Sequence, residues 1–411
     1  MNPMELRATP STWSLVLALP GSTRYLLLGI CLSRMAASMV WPFVAVAMNR
    51  RFGTPISEIG AQLALGALIA IALAPLCGVL GDRFNGKHLM LGGCALAIGC
   101  FLLMGLFPGQ RSYFIAIIGV SVAHSILEPL VRVALGDGAT TAEERSFLFH
   151  VRYYLVNLAV ALGPLAGMWF ANRESDLVFP LAACGYLLLA ASIAAAPVPR
   201  PHSAAESAAG GKPPLRQILR AILASKLFLA ILVANFFLVF IYAQNDEPLT
   251  FYLLSLQVED INRIIALISF TNTAVVLVVH LFLMRWLIAL DEKLAYGLAL
   301  ACLMVGHGII ASNFAAWWGL WLLAIGFSTL AEIIVMPLFA TLSDQLAPAG
   351  MRGSFIGISM LSGLGAALAP LLGALAIERF GGALLFALMA AACLPIGLLG
   401  YRVLHACQPK A

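Results

Sequence analysis

Apolar stretches of membrane-spanning length recur along the whole chain, separated by short polar turns. Twelve of them fall near residues 25–49, 57–80, 88–107, 112–135, 146–171, 178–196, 226–254, 262–283, 293–313, 315–341, 351–379 and 381–404. About 20 apolar residues are enough for a helix to cross a bilayer. Lipid offers backbone groups no partners, so each stretch is predicted to be a helix that bonds its own N–H and C=O groups. The one long polar interruption, Pro197 to Ser225, is rich in Pro, Ala, Ser and Gly and reads as a flexible linker. It divides the chain into an N-terminal six-span unit (1–196), a linker (197–225) and a C-terminal six-span unit (226–411). The end of the linker sets Arg216, Arg220 and Lys226 among apolar residues, the pattern of a short helix lying on a membrane face.

Composition agrees. Hydrophobic residues make up 62% of the chain and charged residues 10%, against about 25% charged in soluble domains. Mean hydropathy is +0.96. With both termini placed in the cytoplasm, the cytoplasmic side holds fifteen of the 24 Lys and Arg residues and the outer side six. That excess follows the positive-inside rule and predicts a multi-pass protein of the cell inner membrane. The net charge of +5 therefore reports topology, and no nucleic-acid partner is expected. The run Trp13 to Leu19 reads as an interfacial lead-in rather than a cleaved signal. Seven of the eight cysteines lie within apolar spans, with no CxxC pair, and neither a metal nor a cofactor is expected. Without a phosphate-binding GxxxxGK[ST] loop there is no built-in ATPase, and without a nucleophile–base constellation the chain is not read as an enzyme.

The two six-span units echo each other. After span 4 come Asp137, Arg145 eight residues on, then Pro164 and Gly167 in span 5; after span 10 come Asp344, Arg352 eight residues on, then Pro370 and Gly373 in span 11. Parallel six-helix repeats with a site near the midplane are a transporter architecture. Between spans 2 and 3 the chain reads Gly78-Val79-Leu80-Gly81-Asp82-Arg83-Phe84-Asn85-Gly86-Lys87. This loop resembles the signature of the major facilitator superfamily, Gly-x-Leu-Ala-Asp-Arg-x-Gly-Arg-Lys, and the resemblance extends over the full chain. Asn85 stands at the usual Gly position, where its access to left-handed backbone conformations is expected to suit it. The resemblance implies an all-α membrane fold of two six-helix bundles related by a pseudo-twofold axis. It also implies a gating role for Gly78, Asp82, Arg83 and Lys87, with Asp82 closing the cytoplasmic side against the N-terminus of span 11. Gly163-Pro164-x-x-Gly167 resembles the helix-5 motif of proton-coupled antiporters, incompletely, since Met168 stands at its second closing Gly. Plain helix packing accounts for the same three residues.

Seven ionisable side chains fall inside spans: Arg34, Glu128, Arg132, Arg152, Asp246, Glu247 and Glu332. A charge at a helix centre costs about 3 kcal/mol on insertion scales, so such residues face a cavity or a partner. They occupy spans 1, 4, 5, 7 and 10, the spans that the resemblance places around a central cavity. Glu128 and Arg132 share a helix face and either neutralise each other or act separately, with Arg132 reaching Asp137 or the interface. Arg34 and Arg152 lack a sequence-local acid and read either as ligands for an anionic group or as partners of Glu128 or Glu332. Tyr153, Asn157 and Gln244 are candidate hydrogen-bonding substrate ligands. Asp246 and Glu247 are adjacent and cannot both carry charge cheaply in a low dielectric, which suits a proton carrier; the alternative opens both to water past a break at Pro248. Glu332 stands deep in span 10 and is the leading proton site, with Asp246, Glu247 and Glu128 beside it. His124, His280 and His307 read as packing, and Trp317, Trp318 and Trp321 as an interfacial belt.

The expected function is secondary active transport by alternating access: a proton-coupled exporter, acting as a monomer, of a small amphipathic compound such as a drug or a secreted metabolite or metallophore. Its partners are then the small-molecule substrate, protons and the lipid bilayer. The alternatives are a proton-coupled importer of an organic anion or metabolite, for which Arg34 and Arg152 argue, and a transport-inactive sensor on the same fold.

Overall fold

The computed structural model describes residues 19–83, 85–139, 141–195, 215–282, 290–348 and 352–407. Its helices are α1 (Gly21–Phe52), α2 (Ile56–Arg83), α3 (Gly86–Leu106), α4 (Gln110–Asp137), α5 (Ala142–Ala171), α6 (Val178–Ala195), α7 (Leu215–Ala224), α8 (Lys226–Tyr242), α9 (Glu247–Ser255), α10 (Ile261–Phe282), α11 (Glu292–Ser312), α12 (Trp318–Gln345), α13 (Arg352–Ser359), α14 (Leu364–Phe380) and α15 (Gly382–Cys407). Among the described residues, twelve helical segments are long and apolar enough to cross a membrane. The seventh span is α8 and α9 joined by a 3-10 turn, Ala243–Asn245, and the eleventh is α13 and α14 joined by another, Met360–Gly363. Most of the Pro197–Ser225 linker lies outside the described residues. Its last stretch forms α7, whose Ile222 is buried against Phe228 and Phe355 while Leu223 is exposed, the two-sided burial of a helix lying along a surface.

Successive spans run antiparallel, so the molecule has a terminal face, where α1 begins and α15 ends, and a distal face opposite. In the first bundle α1 packs on α5 and α6, α2 on α4, and α3 on α4 and α6; in the second, α11 packs on α12 and α15, and α8 on α14 and α15. The bundles meet along two seams, α2 with α14 and α5 with α10. Hydrogen bonds that join them gather toward the distal face: Asn262 Nδ2 donates to Asn172 Oδ1 (3.0 Å), the Ser57 N–H to Glu378 Oε1 (3.0 Å) and Trp41 Nε1 to Glu247 Oε1 (3.3 Å). Nearer the terminal face, Arg132 and Tyr153 are exposed.

The repeat has a physical counterpart. Gly163 and Gly167 bring α5 against α1 so closely that a Cβ on Gly167 would overlap the Met39 carbonyl, and one on Gly163 the Ser38 hydroxyl. At the related position in the second bundle, Gly373 lets α14 approach Pro248 and Gln244 of the seventh span. Side chains stitch α1 to α5 within the first bundle: Ser38 Oγ donates to the Ala159 carbonyl (3.1 Å) and Cys31 Sγ to that of Leu155 (3.6 Å). Helix α5 runs on through Pro164.

Two expectations change. Trp317 and Trp318 are exposed as a belt requires, but Trp321 is fully buried, one turn further into α12. Asn85 has φ −64° and ψ 105°, not a left-handed backbone; it caps α3, its side chain accepting from the Lys87 N–H at 3.0 Å, which an N-terminal Asn does well.

The close α1–α5 contact generates a test. Gly167→Ala is expected to destabilise the protein by about 1–3 kcal/mol through overpacking against backbone that cannot move aside. Gly99→Ala, at a site where a Cβ meets nothing within 4 Å, serves as the neutral control in detergent-solubilised thermal melts.

Candidate functional site

The first bundle concentrates its intramembrane charges on one carboxylate. Glu128 on α4 accepts from Arg34 of α1 (2.7 Å), Arg132 of its own helix (2.7 Å) and Arg152 of α5 (2.5 Å). His124, one turn earlier on α4, places Nδ1 3.5 Å from Arg34. The Glu128–Arg132 contact was legible from their four-residue spacing. The other two join helices far apart in sequence, and they select Glu128 rather than Glu332 as the acid partner of Arg34 and Arg152. Asp137 is the partner of Arg145 (3.8 Å), not of Arg132. Three guanidiniums around one carboxylate leave a positive surplus, and the buried Nε of Arg152 has no hydrogen-bond partner. This arrangement suits Glu128 as the organiser of a cationic cluster more than as a proton carrier.

The second bundle handles its acids with neutral groups. Near the middle of α12, Glu332 accepts a hydrogen bond from the Tyr242 hydroxyl. Asn272 of α10 donates to both the Tyr242 oxygen (3.1 Å) and Thr329 Oγ1 (2.9 Å). Among the described residues, no guanidinium takes part in this network. Tyr153 of α5 lies within electrostatic range of Glu332 across the seam between the bundles.

Tyr242 ends α8, and the break after it shapes the site. A helix end leaves its last carbonyls without intrahelical partners, and here side chains supply them. Gln244 Nε2 donates to the Phe240 carbonyl (3.2 Å), His307 Nε2 lies 3.0 Å from that of Ile241, and Asn245 Nδ2 donates to that of Tyr242 (2.8 Å). The other ring nitrogen of His307 sits 2.9 Å from the Leu303 carbonyl, so this fully buried histidine links α11 to the break. Pro248 occupies the first turn of α9, where its missing N–H costs no bond.

The break opens onto a cavity of about 350 Å³ between the bundles. Trp41, Leu63 and Val160 line it from the first bundle; Tyr242, Asp246, Glu247, Asn272, Ser328 and Thr329 are among the lining residues of the second. Asp246 is exposed to this cavity although it lies deep in the protein. No lysine or arginine lines it among the described residues. A separate pocket of about 30 Å³ sits at the Arg34–Glu128–Arg152 cluster.

The remaining predicted residues divide. Gln244 is fully buried and turned to α14, away from the cavity. Asn157 donates to the carbonyl of Tyr153 one turn back (2.8 Å), and the Tyr153 ring packs edge-on against Tyr154. Lys87 donates to the Ala194 carbonyl (2.6 Å) at the end of α6, a favourable place for a cation. Gly78 lies on α2, and the side chains of Asp82 and Arg83, like those of His280, Asp344 and Arg352, are outside the described set. Sequence reasoning missed Asn272 and Thr329, whose signal was only a polar residue within an apolar span.

The family model of the Major Facilitator Superfamily matches residues 26–363. The chain belongs to the major facilitator superfamily. It is a multi-pass membrane protein and a secondary transporter rather than an enzyme. Among its relatives, an uncharacterised MFS-type transporter of Bacillus subtilis, YqjV, is 24% identical over 368 residues, covering 87% of this chain and 86% of the relative. A Na(+), Li(+), K(+)/H(+) antiporter of Planococcus maritimus is 24% identical, over 81% of this chain and 84% of its own. The multidrug resistance protein MdtH of Aeromonas salmonicida is 24% identical over 79% of each. A peptide transporter of the POT type shares the fold with a TM-score of 0.75 at 15% identity, covering 97% of this chain and 99% of that one.

The cluster makes its own prediction. Glu128→Gln leaves three guanidiniums facing one another, and the expected cost is about 2–3 kcal/mol, below that of a fully buried pair because solvent reaches part of the site. Adding Arg152→Gln to that variant is expected to recover part of the loss in a double-mutant thermal analysis.

Proposed function

We propose that this transporter is a proton-coupled exporter of a small amphipathic compound, working by alternating access with both termini in the cytoplasm of a bacterial inner membrane. The observation that carries the reading is the cavity between the bundles, lined by Asp246 and Glu247, backed by Glu332 behind Tyr242 and bridged on its distal side. With the terminal face cytoplasmic, this is the conformation that loads substrate from inside. Carboxylates without a fixed cation beside them can exchange a proton for a substrate; a carboxylate already held by three arginines is poorly suited to that exchange. Glu332 is the leading proton site and Asp246 and Glu247 its partners, while Glu128 orders the first bundle. The relatives named as an antiporter and as a multidrug resistance protein support this direction of transport.

A second reading, import of an organic anion, draws on the positive surplus around Glu128 and the unpartnered Nε of Arg152. Against it, all three guanidiniums already contact a carboxylate. In this scheme Asp82 holds the cytoplasmic side shut in the opposite conformation, and Gly163, Pro164 and Gly167 keep α1 and α5 moving as one body.

The test is transport in everted vesicles against a compound panel, with and without an imposed proton gradient. Glu332→Gln is expected to abolish gradient-driven accumulation while leaving counterflow of the same compound intact. Full gradient-driven transport by that variant would remove Glu332 from the proton path. Accumulation of anions alone, in the import direction, would favour the second reading.

A further inference from the structure

The Trp41–Glu247 hydrogen bond differs from the other contacts that bridge the distal face. Ser57, Asn172 and Asn262 lie within about a turn of a helix end, and so do their bonds. Trp41 stands eleven residues before the end of α1, about 16 Å below it at 1.5 Å per residue. The bond therefore lies at the cavity wall, and both of its residues line that cavity. Glu247 is thus a cavity carboxylate and a bridge between bundles at once, and a single oxygen, Oε1, makes the bridge.

The bond is also weak. Its 3.3 Å length exceeds the usual N–H···O separation of about 2.9–3.0 Å. An ammonium N–H is a charge-assisted donor that forms shorter and stronger bonds to a carboxylate than a neutral indole can. The other charged group lining the cavity is Asp246, next in sequence, and no lysine or arginine competes there among the described residues. The Trp41 and Tyr242 rings border the same space, and aromatic faces attract cations.

We propose that Glu247 is a shared carboxylate: the N–H of an organic ammonium substrate competes with Trp41 for it, so that occupancy of the cavity releases the distal bridge. This rests on the alternating-access reading and names its substrate class, a protonated amine with an apolar body that fits about 350 Å³. Recognition and gate release then run through one atom. Asp246 keeps a second carboxylate beside the ammonium once Glu247 has turned from the indole. A quaternary ammonium carries the charge but no N–H, and it occupies the cavity without replacing the indole bond.

The experiment uses the full chain in lipid nanodiscs, with nitroxide labels at Phe107 and Phe314. These exposed positions lie on distal loops of the two bundles, and the native cysteines are replaced in the labelled background. Phenethylammonium is expected to shift the label pair to longer distances, while trimethyl(phenethyl)ammonium, which has no N–H to donate, is expected to leave the distances unchanged. Trp41→Phe keeps an aromatic wall but loses the donor, and is expected to show the longer distances without ligand. Glu247→Gln still accepts from the indole and is expected to stay short with either compound. An unchanged distribution in monodisperse Trp41→Phe overturns the proposal, as does a wild-type response in Glu247→Gln. A label pair that ignores amines in a protein that still exports them overturns the latch alone. A label pair that responds in a protein unable to couple transport to protons leaves the latch standing and overturns the exporter reading.

Discussion

A charge inside a bilayer must find its partner within the protein, and both bundles are organised by that requirement. The first meets it with an ion cluster, three arginines from three helices around Glu128. The second meets it with neutral donors, Tyr242 at Glu332 and Trp41 at Glu247, and with a cavity that Asp246 faces. One bundle therefore holds its charges fixed, while the other keeps carboxylates whose partners can be exchanged. A carboxylate of the second kind can change partners, because a neutral donor can turn away without leaving an isolated cation behind.

The same requirement governs the backbone. Breaking the seventh span frees three consecutive carbonyls, and Gln244, His307 and Asn245 each meet one of them. The break is stable because it is satisfied within the protein, as irregular backbone at membrane depth has to be. Its purpose is positional. It presents the three consecutive residues Asn245, Asp246 and Glu247 together on the cavity wall beside Tyr242, where successive side chains of a continuous helix would point about 100° apart.

Much of this was legible in the sequence. The twelve spans followed from apolar length, the bundle relationship from the Pro164–Gly167 and Pro370–Gly373 repeat, and the Glu128–Arg132 contact from helical spacing. What stayed hidden depended on contacts between helices distant in the chain. Arg34 and Arg152 had two possible acids, and only packing of α1 and α5 on α4 decides between them. Gln244 read as a candidate ligand, yet at the helix break it turns to α14 while Asp246, two residues on, faces the cavity. Asn272 gave no signal beyond its polarity. Asn85 was expected to use the left-handed backbone that Asn tolerates and instead caps α3 from an extended one, since both uses favour the same residue type.

The unbroken α1 and the interrupted α8–α9 occupy related places in the two bundles, and they differ as mechanical parts. Helix α1 continues for 32 residues through Pro42, so displacement at one end is transmitted to the other as by a stiff lever. Helix α9 is nine residues long and joined to α8 through a 3-10 turn, so it forms a jointed arm. The distal rims of the two bundles are therefore built differently: one continuous helix reaches that of the first, while at that of the second a short segment, buried from Pro248 to Leu253, is set apart from the rest of its span by the turn.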